Sequence, residues 1–393
     1  MKLRFHKSIA VLATLSLLRG WSSAVIMAFL PLYGIEIGMD FACIGLAVTI
    51  ANIVTVFSLP LMGWFVDVGG RRPTLFTSTI CMALSLLLPA VIQSHIAVMI
   101  AYSLFYLSFF SWQIVRGAMV IQMASPTSAA TIFATLATLF QLARTVAPSI
   151  VGIVISMYGY RVTFLAISMF MFLGSLLITI IPSEKIKTKN KEGFKAILSS
   201  IKPKRNEIPL LSVLSIDRFG WMLWFPLLNP YLKVYLELDT EVIGLIASLI
   251  NGTTIATLII AGRLADRIGW LTSMLLSEIF AAIGTALLIY AKGIELVMLA
   301  TIFLGLSIAL WIPSFDIAIS SVAETPNAIG CAYSRANMVR TLASVPAPMI
   351  GGELYTAYPR LPLMIGTALM VLNAVILTTT KRREKLSKRS LRT

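Results

Sequence analysis

The sequence predicts an all-α membrane protein with twelve transmembrane helices in two six-helix halves, and three observations lead to this fold class. Of the 393 residues, 58% are hydrophobic and 12% are charged, which is about half the charge content of a soluble domain. The apolar residues form continuous runs, and a bilayer-spanning helix takes about 20 of them. The second half of the chain also repeats the first. This composition excludes a water-soluble globule and a disordered chain.

Twelve apolar runs follow one another, and each is predicted to cross the membrane once. The runs of the first half cover 8–32, 41–66, 73–94, 96–122, 128–157 and 162–181. The runs of the second half cover 209–235, 242–262, 270–291, 295–320, 326–357 and 361–380. We therefore predict helical bundles over 1–181 and 209–380, joined by a basic linker over 182–208 and followed by a basic tail over 381–393.

Lysine and arginine are distributed unequally between the predicted connections. With the N-terminus inside, the linker and the tail lie in the cytosol, whereas the outer connections hold only Arg161, Lys233, Lys292 and Arg360. The positive-inside rule then predicts a multi-pass protein of the cell membrane with both termini cytoplasmic. The net charge of +15 is explained by this topology, so we expect the lipid bilayer and no nucleic acid as a partner.

The residue types that build metal and catalytic sites are scarce. Cys43, Cys81 and Cys331 lie in apolar runs without Cys-X-X-Cys spacing, and His6 and His95 lie near the predicted membrane surfaces. The sequence also lacks a His-Glu-X-X-His pattern. We therefore predict no metal, no cofactor and no enzyme active site.

A shift of 199 residues aligns rare residue types of the two halves. The aligned pairs include Arg19/Arg218, Pro31/Pro230, Asn52/Asn251, Asp67/Asp266 and Trp112/Trp311. Because a shift across six helices preserves their direction, the halves are predicted to be parallel repeats about an axis along the membrane normal.

Two loops at this spacing carry a motif. The first reads GWFVDVGGRR at 63–72 and the second GRLADRIG at 262–269. Both resemble the signature loop G-x-L-x-D-x-x-G-R-[RK] of the major facilitator superfamily, although Phe65 replaces leucine in the first copy, and Trp270 and Leu271 replace the basic pair in the second. The segment GYRVTF at 159–164 resembles the family pattern G-[WY]-R-x-x-F. The resemblance implies the major facilitator fold and secondary transport by alternating access.

The resemblance also implies that these loops form a cytoplasmic latch for the outward-facing state. Asp67 is placed to cap a neighbouring helix or to pair with Arg71, and Arg335 is a predicted partner for Asp67. An inert turn that only sets topology is the alternative. The predicted latch residues are Gly63, Asp67, Gly70, Arg71, Arg72, Gly262, Asp266, Arg267, Gly269 and Arg335.

The resemblance divides the spans into two classes. Spans 3, 6, 9 and 12 are expected to face lipid, and the other eight to line a central cavity. Glu278 lies on span 9. It is therefore expected to pair with, or extend toward, Arg263 or Arg267.

Charge inside the spans is predominantly positive. Burying an arginine at a helix centre costs about 2.5–3.5 kcal/mol, so each one needs a partner, water or a ligand. The deep arginines are Arg19, Arg144, Arg218 and Arg340, and the opposing acids of the cavity spans are Asp217 and Asp316. A positive cavity favours an anionic solute.

The four arginines have two interpretations. Arg19 and Arg218 could clamp a carboxylate or phosphate from both halves, as in the organic-phosphate exchangers of the superfamily, which resemble this chain in having arginines on helices 1 and 7. They could instead be structural anchors, since many drug-efflux members carry an arginine early in helix 1. Arg144 and Arg340, which are more central, are predicted to face the cavity.

Two further repeat pairs are candidates for substrate binding. Asn52 and Asn251 could bond the substrate or hold helices together. Trp112 and Trp311 could stack on a ring or cation, although packing at the repeat axis is the favoured interpretation.

Proton coupling needs a group that titrates. Asp217 and Asp316 are the predicted proton-coupling residues, because burial favours the neutral form of a carboxyl group. A permanent ion pair of Asp217 with Arg340 is the alternative.

The predicted function follows from these features. We expect a monomeric secondary active transporter, coupled to a proton or another ion, that moves a small organic solute and favours an anionic substrate. The alternative is a drug or metabolite:proton antiporter in which the membrane arginines are structural.

Overall fold

A computed structural model describes residues 2–123, 126–181, 203–205, 207–322 and 329–390. Within these ranges the side chains at 2–6, 59–61, 63–64, 67–68, 121–123, 126–130, 329–331 and 381–390 are not described. The described chain contains helices and short connections and no strand, which confirms the predicted all-α class.

The first half of the chain forms five helices in the described residues. They are α1 (Lys2–Glu36), α2 (Phe41–Gly69), α3 (Arg71–Val91), α4 (His95–Met123) and α5 (Pro126–Leu177). At Gly159 the backbone of α5 leaves helical geometry, with φ 78° and ψ 167°. This element therefore consists of two helices, as the predicted spans 128–157 and 162–181 require.

The second half of the chain forms more helices than the first, and several of them are short. Its helices are α6 (Ile208–Trp224), α7 (Leu228–Val234), α8 (Thr240–Ile268), α9 (Trp270–Tyr290), α10 (Ile294–Val322), α11 (Ile329–Ser344), α12 (Ala347–Ala357) and α13 (Leu361–Ser390). A 3₁₀ turn over Phe225–Leu227 separates α6 from α7, and a turn at Val345 and Pro346 separates α11 from α12. Each break contains a proline, which lacks the amide hydrogen of a regular helix.

Ten helices of the described chain are long and apolar enough to cross a membrane. One of them covers 50 residues, more than twice the length of a single crossing, and it contains the kink at Gly159. The predicted span 326–357 is represented by α11 and α12, neither of which is long enough alone. The fold class is thus confirmed, and the number twelve stays a prediction.

The chain divides into two compact units. The first is Met1–Ile197 with Leu232–Ser248, and the second is Leu198–Tyr231 with Leu249–Thr393. The segment 232–248 groups with the first unit because Ser248 Oγ accepts the backbone N–H of Ser149 at 3.0 Å and Gly244 packs on the carbonyl of Pro148. The predicted domain limits stay a prediction, and the linker over 182–202 lies outside the described residues.

Each unit has its own apolar core. In the first, α1 packs on α5 and α3 packs on α4, around Leu15, Trp112 and Leu136. In the second, α9 packs on α10 and α13 while α6 packs on α11 and α12, around Leu214 and Met274.

The repeat extends to hydrogen bonds inside the two cores. Ser108 Oγ donates to the Ser78 carbonyl at 2.6 Å. In the second unit Ser277 Oγ donates to the Ser307 carbonyl at 2.9 Å. The two serine pairs differ by the same 199 residues, with donor and acceptor exchanged, so the units share helix packing as well as sequence.

Candidate functional site

Asp217 on α6 is the centre of a charged cluster in the second unit. Its side chain is 5% exposed, and Arg340 and Arg218 lie within electrostatic reach of its carboxyl group. Among the described residues, neither arginine forms a direct ion pair with it. The predicted residues Asp217, Arg218 and Arg340 are thus brought together, although the permanent ion pair considered for Asp217 and Arg340 is not formed.

Arg340 on α11 lies over two aromatic rings of α10. Its guanidinium carbon is 4.4 Å from the centre of the Trp311 ring and 4.9 Å from that of Phe315. The two rings are themselves stacked, with centres 4.7 Å apart. Cation–π attraction therefore positions Arg340 beside Asp217, and Trp311 belongs to the same cluster.

The expectation for Glu278 was wrong. Its side chain on α9 is 1% exposed and lies beside Asp217, and its Oε1 accepts the Asn373 Nδ2 hydrogen at 2.8 Å. The partners come from α6 and α13, because Glu278 faces the interior of the unit. It therefore does not extend toward Arg263 or Arg267, which are exposed.

Asp316, the second predicted proton-coupling residue, has different surroundings. Its side chain is exposed and accepts the Tyr333 hydroxyl hydrogen at 2.7 Å. The burial argument for a neutral carboxyl group therefore applies to Asp217 and not to Asp316, whose coupling role stays a prediction.

Arg19 on α1 is enclosed in the first unit, where it is 1% exposed. Its guanidinium donates to Ser108 Oγ at 2.6 Å, to the Ser108 carbonyl at 2.7 Å and to Thr79 Oγ1 at 3.2 Å. It also lies 4.9 Å from the centre of the Trp112 ring. This geometry favours the structural interpretation, since protein groups accept from both terminal nitrogens of the guanidinium, while Nε has no acceptor among the described residues.

We expect Arg19→Ala to lower the free energy of unfolding by about 2 kcal/mol, because it opens a core cavity and removes donors from buried oxygens. Thermal unfolding in detergent measures this, with Arg360→Ala in the connection before α13 as the control. Wild-type stability combined with lost transport would instead favour the substrate clamp.

Arg144 on α5 has no comparable set of partners. One guanidinium nitrogen lies 3.6 Å from the Met27 sulfur, and the Phe140 ring centre is 5.9 Å away. The Nε atom is buried without a hydrogen-bond acceptor among the described residues. Arg144 is therefore a cation that the described part of the first unit leaves without a carboxylate.

The remaining predicted binding residues are placed as follows. Trp112 is fully buried between Arg19 and Arg116, which agrees with the favoured packing interpretation. Asn52 is 2% exposed, and its Nδ2 has no acceptor among the described residues. Asn251 is half-buried on α8.

The two signature loops have matching turns. Gly70 has φ 90° and Gly269 has φ 79°, a backbone region that disfavours side chains, so the tight turn predicted at Gly70 is confirmed. In the first loop Arg71 and Arg72 are half-buried, and in the second Asp266 and Arg267 are exposed. A Cβ added at Gly262 would meet nothing within 4 Å. Gly63 lies inside α2, the Asp67 side chain is not described, and the latch stays a prediction.

Arg335 has a partner that sequence reasoning missed. Its Nε donates to Glu207 Oε2 at 2.9 Å, and a second guanidinium nitrogen pairs with Oε1. The backbone N–H of Lys204 also donates to Oε2, at 3.2 Å. The predicted pairing of Arg335 with Asp67 is untested, while the bidentate pair joins the start of α6 to α11.

A repeat comparison offers a signal for one missed residue. The 199-residue shift aligns Glu278 with Thr79, a direct partner of Arg19. Because Thr79 points into the interior of the first unit, its repeat partner Glu278 is expected to point into the interior of the second.

Comparison with known proteins agrees with the fold. The family model described as Major Facilitator Superfamily matches residues 12–228 and 210–393. A multi-drug resistance efflux pump, PmrA of Streptococcus pneumoniae serotype 4, is 22% identical over 347 residues, covering 86% of each chain. Among solved structures, the nucleoside transporter NupG (D323A mutant) aligns with a TM-score of 0.79 at 15% identity, over 94% of this chain and 99% of its own. A D-xylose-proton symporter aligns with a TM-score of 0.73 at 14% identity, over 95% and 97%.

Proposed function

Because the chain belongs to the major facilitator superfamily, it is a transporter, and we propose that it moves a small organic anion with proton coupling across the cell membrane. The observation that carries the choice of an anion is the uncompensated guanidinium of Arg144. The distribution of lysine and arginine supports cytoplasmic termini.

An anionic substrate would supply the negative charge that Arg144 lacks among the described residues. The described acids of the first unit lie in connections or at helix ends, and none forms an ion pair with Arg144; they are Glu36, Asp40, Glu237, Asp239 and Glu241. A carboxylate or phosphate that meets a guanidinium forms two charge-assisted hydrogen bonds. These bonds are strong where water is excluded.

Asp217 is the proposed proton-coupling residue. It is buried, and the sequence has no nucleotide-binding loop that would supply energy from hydrolysis. Two arginines are within its electrostatic reach. Proton binding at this cluster would remove one negative charge beside the arginines, so proton and anion binding would favour each other.

The signature loops complete the proposal as a cytoplasmic latch. The matching positive-φ turns at Gly70 and Gly269 support equivalent loop conformations in the two units. Arg71 and Arg72 on the first loop and Asp266 and Arg267 on the second are the side chains proposed to make and break contacts during alternating access.

Drug:proton antiport is the second candidate function. The 22% identity with a multidrug efflux pump favours it, and so does Arg19, whose guanidinium is bonded within its own unit. In this case the half-buried ring of Trp311 would provide a surface for aromatic solutes.

A ligand screen followed by a flux assay tests the proposal. Carboxylates, phosphates and lipophilic cations are first compared by thermal shift, where a ligand at 100 times its Kd adds about 2.7 kcal/mol. Active compounds are then added to proteoliposomes that contain a pH-sensitive dye. We expect added anions to cause proton movement across the liposome membrane. Arg144→Gln should weaken anion binding by about 30-fold, since a hydrogen bond to a charged group contributes about 2 kcal/mol.

Arg360→Gln in an outer loop is the matched control and should keep wild-type flux. Proton movement by lipophilic cations alone, unchanged in Arg144→Gln, would overturn the anion proposal and favour drug antiport.

A further inference from the structure

Glu278 has an unusual set of neighbours for a carboxylate. Asn373 Nδ2 donates to its Oε1 at 2.8 Å and to the Val213 carbonyl at 3.2 Å, so Oε1 is an acceptor. Oε2 is buried and has no donor among the described residues. An ionised carboxylate would therefore leave one charged oxygen without a hydrogen bond, which is costly in an apolar interior.

The charges around Glu278 are also unfavourable to its ionised form. Asp217 of α6 and Asn373 of α13 lie beside Glu278, and α10, which packs on α9, contributes Ser307, which is bonded to Ser277. Asp217 has Arg340 and Arg218 within reach, whereas no cation acts on Glu278 in the described chain. Two neighbouring carboxyl groups of this kind share one proton.

We infer that Glu278 is a neutral carboxylic acid at neutral pH, which accepts from Asn373 at Oε1 and directs its Oε2 proton to the Asp217 carboxylate. The pair then stores one proton and carries one negative charge, next to Arg340. Loss of the proton as H⁺ converts the acid to a carboxylate and leaves two negative charges. The proton site extends in this way to α9, a helix expected to face lipid.

The role of this proton in coupling rests on the proposed function, but its presence on Glu278 does not. With the proton bound, Asp217 and Arg340 balance each other, and Arg218 remains available for an anion. Proton release adds a negative charge to the cluster and weakens anion binding.

An apolar groove makes Glu278 chemically testable. The groove has a volume of about 680 Å³ and includes Glu278, Leu275, Ile279, Ile283, Val371 and Val375 in its walls. A hydrophobic reagent dissolved in the bilayer can approach α9 and α13 along this path. Dicyclohexylcarbodiimide is suitable, because it reacts with protonated carboxyl groups in apolar surroundings. The acid proton passes to a reagent nitrogen, the carboxylate adds to the central carbon, and acyl migration gives a stable N-acylurea.

The first experiment treats the full-length protein in liposomes with this reagent at neutral pH and maps the adduct by mass spectrometry. We expect an N-acylurea on Glu278, retained in Glu295→Gln, which removes an exposed acid of α10, and lost in Glu278→Gln. Absence from the wild type, which needs no variant to fold, of both this adduct and the infrared band of a protonated carboxyl group would overturn the inference.

Infrared spectroscopy provides the second measurement. The stretching band of a protonated carboxyl group should disappear in Glu278→Gln and persist in Glu295→Gln. Glu278→Gln should also keep the wild-type thermal midpoint, since the amide can accept from Asn373 and donate to Asp217. A spectrum unchanged by Glu278→Gln would contradict the neutral acid. If the carboxyl band is present but the protein moves no protons in the flux assay, the neutral acid stands and only the proposed proton-coupled transport is overturned.

Discussion

Replacing Arg335 with alanine is expected to lower the free energy of unfolding by about 3–5 kcal/mol, because it leaves the buried Glu207 without its counter-ion. Glu207 is 2% exposed and Arg335 is 6% exposed, so water cannot replace the lost partner. The pair is bidentate, which adds geometric specificity to its attraction. Thermal unfolding of the detergent-purified protein measures the effect.

A double-mutant cycle separates the pair from other contacts of Arg335. Glu207→Gln, Arg335→Gln and the double variant should give a coupling energy of about 2 kcal/mol or more. Arg263→Gln, at an exposed position of α8, is the control and should be neutral. Additive effects of the two substitutions would show that the pair does not join α6 to α11.

The same pair predicts a pH dependence. Burial alone would raise the pKa of Glu207, but hydrogen bonds and charges from Arg335 and Lys204 lower it overall. The pKa of Glu207 in the folded protein is therefore below its unfolded value of about 4.3. The stability that the ionised Glu207 contributes is complete when the pH is above about 4.3, and it is lost as the pH falls through the folded pKa. The deficit of Arg335→Ala should therefore be larger at neutral pH than at about pH 4. An equal deficit at both would contradict this assignment.

The second large effect is expected at Gly351 on α12. A Cβ placed there would lie 1.8 Å from the carbonyl oxygen of Leu223 on α6. The obstacle is backbone, so a rotamer change cannot remove the clash and the two helices must separate. Gly351→Ala should lower the free energy of unfolding by about 3 kcal/mol, at the upper end of overpacking effects.

A second glycine supplies the matched control for this substitution. Gly262 also lies inside a helix, but a Cβ there would meet nothing within 4 Å. Gly262→Ala should therefore raise stability by about 0.5–1 kcal/mol through helix propensity. Equal thermal midpoints for the two variants would contradict the close contact of α12 with α6.

Much of the fold is predictable from the sequence because it depends on properties that single residues carry. Continuous hydropathy locates the helices, and rare residues such as Asp67 and Asp266 reveal the repeat. Gly70 and Gly269 mark turns that other residues would not favour.

The partners of the buried charges are less predictable. The family resemblance places α9 against lipid, and a helix that is apolar on every side carries no amphipathic signal that would turn Glu278 toward the interior instead. Glu207 falls within the predicted linker, where sequence offers no reason to expect burial. Arg19 illustrates the same gap, since its partner Thr79 lies on another helix expected to face lipid.

The turn between α11 and α12 has a mechanical consequence. Pro346 has no amide hydrogen to contribute, and Val345 donates to the Leu342 carbonyl in a tightened turn at 3.3 Å. The segment from Ile329 to Ala357 therefore consists of two helices, α11 and α12, joined by a two-residue turn. We expect α11, which carries Arg335 and Arg340, to tilt at this turn while α12 stays seated on Leu223 through Gly351.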